Sequence, residues 1–226
     1  MPDGEEYVRT LLRLDDDLDT VLTSIENRCP DDSLFREAVQ NRKGLRVVND
    51  PFFPCLISFI CSSQMRVERI HEMQAELASR FGCSITIDRN QYDVFPSPSQ
   101  LAHASKEELQ DAGLGYRARY VAETSQMIAD EGWPDPKDDT LEQARDQLKR
   151  FTGVGNKVAD CVLLFSCGYL QSVPLDTWVK QAIEEYYPQC QQGQYEETSR
   201  AIRSHWGDYA GYAQAYVFSH LRTREG

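Results

Sequence analysis

The chain has 226 residues, 41% of them hydrophobic, enough for one large domain or two small lobes with a true core. No apolar run approaches the roughly 18 residues of a membrane helix, and the acidic start MPDGEEYVRT is not an export signal, so the expected location is cytoplasmic. A formal net charge of −12 excludes a generally basic nucleic-acid-binding surface and makes the placement of the cations the question.

In chain order, the first eleven residues are polar and expected to be flexible, and residues 12–226 read as one helical domain. Asp50-Pro51 reads as a cap followed by a first-turn proline, leading into FFPCLISFICSSQ. VERIHEMQAELASRFG follows as a helix ending on Gly82. CSITID, residues 83–88, is the one plausible extended stretch, because β-branched residues alternate there with smaller ones. Ser105 with Glu108, and Thr140 with Gln143, have capping-box spacing, so each opens a helix. Further helices are expected at about 117–130, 141–150, 156–167, 176–187, 194–206 and 209–222. The fold class is therefore all-α, and two lobes flanking an active-site cleft is the expected arrangement.

The seven cysteines, at positions 29, 55, 61, 83, 161, 167 and 190, form no CxxC pair and no CxxH cluster. Neither zinc nor an iron–sulfur cluster finds its usual spacing, the odd number argues against a disulfide framework, and no cofactor is expected. Acidic residues concentrate in Asp15-Asp16-Asp17 and in DEGWPDPKDDTLEQARD. Lys149, Arg150 and Lys157, in contrast, flank one glycine turn, and Arg117 and Arg119 another.

The most informative segment is LKRFTGVGNKVADCVLLFS, part of a helical hairpin over about 141–167. A helix runs into Gly153-Val154-Gly155 and a second helix starts at once. Two glycines let the backbone turn sharply, and the free amides of the second helix then point outward as an anion site suited to a DNA phosphate. A tight turn between two packed helices is the plainer reading of GVG alone. Lys157 tips the balance, because a cation in a first turn faces the positive end of the helix dipole, where an acidic residue is the stable choice. The same dipole favours the free amine, the nucleophile needed for a Schiff base. Alone, Lys157 would be read as a phosphate contact. Asp176, in SVPLDTWVKQAIEEYY, follows a proline and precedes a helical run; alone, it would be read as a cap.

Together, GVGNKVADC and VPLDTW resemble the helix-hairpin-helix, Gly-Pro-Asp class of base-excision DNA glycosylases. PFFPCLISFICSSQMRVERI, GLGYRARYVAE and SHWGDYAGYAQAYVFSHLR are similar, within that class, to the eukaryotic-type 8-oxoguanine DNA glycosylases, and the similarity runs from about residue 12 to residue 222. The resemblance implies a bifunctional glycosylase and abasic-site lyase acting as a monomer on duplex DNA, nucleoid-associated if the source is prokaryotic. Lys157 would be the nucleophile and Asp176 the carboxylate that stabilises positive charge on the sugar. It also implies that Cys161 and Phe218 sandwich an extruded base while Gln214 bonds its polar edge. Helical spacing agrees, since Cys161 shares a face with Lys157, and Phe218 one with Gln214. For Cys161 and Phe218, core packing is the plainer reading. Tyr116, Arg117 and Arg69 match residues at the base stack and the orphaned partner base; otherwise they are helix-capping surface residues. Gly153, Gly155 and Val158 would offer amides to phosphate, and the carbonyls of Lys149, Phe151 and Val154 a site for a monovalent cation.

The sequence departs from the family pattern in three places. The antiparallel β domain that precedes the helical part in the family is expected to be absent. Gln64 stands where an asparagine reads the cytosine left unpaired, and Trp178 stands two positions after the catalytic aspartate where the family has a histidine. An indole donates one hydrogen bond but does not titrate near neutral pH. Glycosylases for other damaged bases, and a non-catalytic DNA-binding module, are the competing readings. The acidic exterior suits the salty cytoplasm of a halophilic archaeon, and an ordinary solubilising surface gives the same composition.

Overall fold

The computed structural model describes residues 3–223, with the exception of 63, 64 and 135. In chain order the helices are α1 (Gly4–Leu11), α2 (Leu18–Arg28), α3 (Ser33–Asn41), α4 (Phe52–Cys61) and α5 (Val67–Phe81). A hairpin of β1 (Cys83–Ile87) and β2 (Asn90–Val94) follows, then α6 (Pro98–Ala102), α7 (Lys106–Leu109) and a π-helical turn over Gln110–Leu114. The chain continues through α8 (Arg117–Glu131), α9 (Leu141–Leu148), α10 (Asn156–Phe165), α11 (Thr177–Tyr186), α12 (Tyr195–Trp206) and α13 (Ala210–Arg222). The all-α class holds, with one small sheet among the described residues.

The chain divides into two compact units, one of residues 1–50 with 159–226 and one of residues 51–158. In the first, α13 carries buried residues on nearly every side, from Ala210 and Tyr212 to Val217 and His220, because α2, α3, α11 and α12 all pack against it. Val21, Ile25, Phe35, Ile183, Ile202 and Trp206 complete this core. In the second unit, α4 is almost wholly apolar, as a helix covered on most sides must be. It packs on α5 and α8, and α8 packs in turn on α6 and α7.

Both expected capping boxes form, Ser105 with Glu108 and Thr140 with Gln143, and Ser97 with Gln100 makes a further one at α6. Gly4–Leu11, within the segment expected to be flexible, is helical and buries no side chain. Two expectations are corrected. Asp50 does not cap α4; Pro51 stands at the cap position without a side-chain hydrogen bond, and Asp50 is tied through its backbone to Phe165 and Ser166. The extended stretch at Cys83 has a partner, with Cys83 opposite Val94 and Ile85 opposite Tyr92 across a two-residue turn at Asp88 and Arg89. Gly82 ends α5 as expected, though not through a left-handed conformation: a Cβ there would overlap the carbonyl of Val94.

Candidate active site

In the unit of residues 51–158, α9 runs to Leu148, and Phe151 and Val154 then turn inward, anchoring the chain reversal. The Val154 amide donates to the Phe151 carbonyl at 3.1 Å, and Thr124 Oγ1 of α8 donates to the Thr152 carbonyl at 3.1 Å. Gly153 takes φ of +84°, and a Cβ there would lie 2.7–2.9 Å from the Tyr120 side chain. Only glycine satisfies both conditions. Gly155 differs, because a Cβ there would meet nothing within 4 Å. The fold leaves Gly155 open on its exposed side, next to a helix N-terminus of the kind that suits a large anion.

Lys157 is the second residue of α10 and half-buried. Its Nζ donates to Ser62 Oγ at 3.3 Å and lies 5.2 Å from the centroid of the Phe59 ring, while Ser62 Oγ donates to the Phe59 carbonyl at 2.8 Å. The end of α4, with Ser62, thus holds the Lys157 Nζ in place beside an aromatic face.

In the other unit, Asp176 is the N-cap of α11, where Oδ1 accepts the Val179 amide at 2.8 Å. No other hydrogen bond to this carboxylate is present among the described residues, so one oxygen serves the helix and the second is free for chemistry. The preceding loop is fixed from behind. The Leu175 amide donates to Tyr195 Oη at 3.1 Å, and that hydroxyl donates to Asp160 Oδ2 at 2.7 Å. Asp160, fully buried on α10, also accepts Ser172 Oγ at its carbonyl, 3.0 Å away. Burial, with the Asp160 carboxylate beside it, pushes the Tyr195 hydroxyl far above its ordinary range and keeps it a donor. Asp160 and Tyr195, which brace the loop before Asp176, were not picked out by sequence reasoning. The signal was a carboxylate inside the apolar run of α10, which must find a partner.

Gln214, Phe218 and Trp178 line one pocket, with Val179, Trp206 and Leu221 among its other walls. Gln214 is 8% exposed, and its Oε1 has no hydrogen-bond partner among the described residues. A buried unpaired acceptor in an apolar pocket costs stability and offers an arriving donor a place to bind. Cys161 is buried on α10 and is not among the residues lining this pocket.

Around the GLGYR turn, Tyr116 is 57% exposed, and Arg117 lies beneath it, buried, with its guanidinium 4.4 Å from the Tyr116 ring centroid. Arg117 is therefore not an exposed cap. Arg69 abuts Gly113 of the same turn and pairs with Glu72 at 2.8 Å. Val158 is buried, and of the carbonyls expected to hold a cation, that of Phe151 already accepts the Val154 amide while Lys149 closes α9 as its C-cap. Gln64 lies outside the described residues.

The model of the HhH-GPD superfamily of base excision DNA repair proteins matches residues 57–208, which include the hairpin, Lys157 and Asp176. The chain belongs to the HhH-GPD superfamily. It is 32% identical to the N-glycosylase/DNA lyase OGG1 of Arabidopsis thaliana over 83% of this chain and 54% of that protein. It is 30% identical to a probable N-glycosylase/DNA lyase of Methanothermobacter thermautotrophicus over 96% of this chain and 74% of that one. The chain thus spans about half the length of the plant relative. Among solved structures of the superfamily, MBOgg1 in complex with a low affinity DNA ligand superposes with a TM-score of 0.91 at 27% identity, covering 100% of this chain and 77% of that one. The Clostridium acetobutylicum 8-oxoguanine glycosylase/lyase, in complex with double-stranded DNA containing cytosine opposite 8-oxoguanine, gives 0.88 at 26% identity, covering 99% and 77%.

Proposed function

We propose that this chain removes 8-oxoguanine from duplex DNA and then cleaves the abasic strand. The observation that carries the reading is Lys157, held by Ser62 in the first turn of α10, immediately after a glycine turn that is open at Gly155. The free amine attacks C1′ of an extruded nucleotide as the base departs with the glycosidic electrons. The free oxygen of Asp176 stabilises the positive charge that develops on the sugar. Loss of the ring oxygen's bond to C1′ gives a Schiff base on Nζ. Abstraction of a C2′ proton then expels the 3′ phosphate by β-elimination. Gln214 and Phe218 receive the base, amide to edge and ring to face. The kinship with an 8-oxoguanine glycosylase/lyase supports this choice of base.

The test is borohydride trapping on duplexes containing an abasic site or 8-oxoguanine. The wild-type chain forms a covalent complex with both, and Lys157→Gln forms none while still retarding DNA. Undiminished trapping by Lys157→Gln would remove Lys157 as the nucleophile.

A further inference from the structure

Cys29, Asp32 and His205 come together in the unit of residues 1–50 and 159–226, with Sγ, a carboxylate oxygen and a ring nitrogen all within 4.8 Å of one another. Cys29 closes α2, Asp32 opens α3, and His205 lies in the last turn of α12. The first two are locked in register by the turn Cys29-Pro30-Asp31-Asp32, in which the Asp32 amide donates to the Cys29 carbonyl at 3.0 Å. Proline at the second position makes that turn stiff. Cys29 and Asp32 are buried, whereas the His205 side chain is 25% exposed and borders a surface pocket that both of the others also line.

From this cluster we infer a zinc-type divalent cation site made by Cys29 Sγ, Asp32 Oδ2 and His205 Nε2, with its fourth position open to the pocket. A thiolate, a carboxylate and an imidazole form a donor set suited to a borderline-soft ion, and their two negative charges neutralise it in a half-buried setting. Ligand-to-ligand edges in a tetrahedral zinc site are about 3.3–3.8 Å. His205 Nε2 and Asp32 Oδ2 already stand 3.3 Å apart.

The surroundings orient the carboxylate as outer-shell groups do. Oδ1 accepts the Phe35 amide at 2.9 Å and Tyr187 Oη at 3.0 Å, and Oδ2 accepts Trp206 Nε1 at 3.0 Å. Burial opposes ionisation of Asp32, but the bonds from His205, Phe35, Trp206 and Tyr187 outweigh it and hold the carboxyl below its ordinary range. Metal entry replaces the His205 contact to Oδ2, leaves the other three bonds in place, and moves the ring proton to Nδ1. The Cys29 thiol, which now donates to the Ile25 carbonyl at 3.0 Å, gives up its proton to solvent. The one cation lining the pocket, Arg28, is engaged by the Ser204 carbonyl at 3.0 and 3.2 Å.

The test uses the whole chain, stripped with a chelator and titrated with Zn²⁺ against a chromophoric competitor, and with Co²⁺ for its spectrum. The wild type takes up one equivalent of Zn²⁺, shows a thiolate-to-cobalt charge-transfer band, and gains thermal stability on loading. Cys29→Ser abolishes the band, and both Cys29→Ser and His205→Gln weaken Zn²⁺ binding at least tenfold. His205→Gln keeps the test decisive if the buried Cys29→Ser change prevents folding, since its ring lies partly at the surface. No stoichiometric uptake at micromolar Zn²⁺ overturns the site. So does binding unaltered by either substitution, which would place the metal on another thiol such as the exposed Cys83.

Discussion

Asp176 carries two duties on two oxygens, and a single substitution separates them. Asparagine caps a helix about as well as aspartate, so Asp176→Asn keeps the Val179 bond and leaves Tm nearly unchanged. The charge beside the sugar is lost, and single-turnover base excision is expected to fall roughly 100-fold or more. Normal excision by the folded variant would reduce Asp176 to a cap. Asp50 gives a prediction of opposite character. Burial raises its carboxyl above the ordinary value, so the ionised form is disfavoured in the fold. The wild type therefore loses stability as pH rises from the unfolded-state value of about 4 through the raised folded value. Asp50→Asn has no such loss: thermal melts should show it more stable near neutral pH, with the gap closing toward about pH 4. At this scale the sequence singled out Lys157 and Asp176 as candidates, because each sits beside a backbone signal, a glycine turn or a proline. Asp160 with Tyr195, and Cys29 with His205, were not legible, since nothing local links residues so far apart in the chain.

At the scale of elements, the hairpin's two glycines have different reasons for being glycine, and alanine substitution tells them apart. Gly153→Ala meets both a positive φ and the Tyr120 ring, and should lower stability by about 1–2 kcal/mol or more in denaturant unfolding. Gly155→Ala adds a methyl group to open space, so its unfolding midpoint should hardly move while DNA affinity drops. Equal effects of the two on binding and folding would mean that both glycines serve the turn alone. Most elements could be read from their caps: Ser105 and Thr140 announce helices because a hydroxyl and an amide or carboxylate recur at fixed spacing. What escaped was short or solvent-facing. β2 reads NQYDV, all exposed, and the turn before it is Asp88-Arg89, both at positive φ, without the glycine that marks such turns. Asp50-Pro51 looked like a cap, but the Asp50 backbone is taken by Phe165 and Ser166.

For the molecule as a whole, the charge of −12 and the proposed DNA substrate are compatible if cations gather locally where the duplex is met. At the hairpin those cations are Lys149 and Arg150, already paired with Asp146 and Glu131, since Lys157 is assigned to the sugar as a free amine. Two neutralised phosphates correspond to a slope of about −2 in log affinity against log salt concentration. A slope near −6 in fluorescence-anisotropy titrations would reveal a basic surface that the hairpin does not provide. The same acidity bears on the β1–β2 hairpin, whose one face carries Ile85, Ile87, Tyr92 and Val94, each at least 42% exposed. Two outer strand edges with an oily face are a template for intermolecular cross-β stacking, restrained here by mutual repulsion between like-charged molecules. Salt that screens this repulsion removes the restraint, so self-association through this hairpin is expected to rise with salt and as the buffer approaches the isoelectric point.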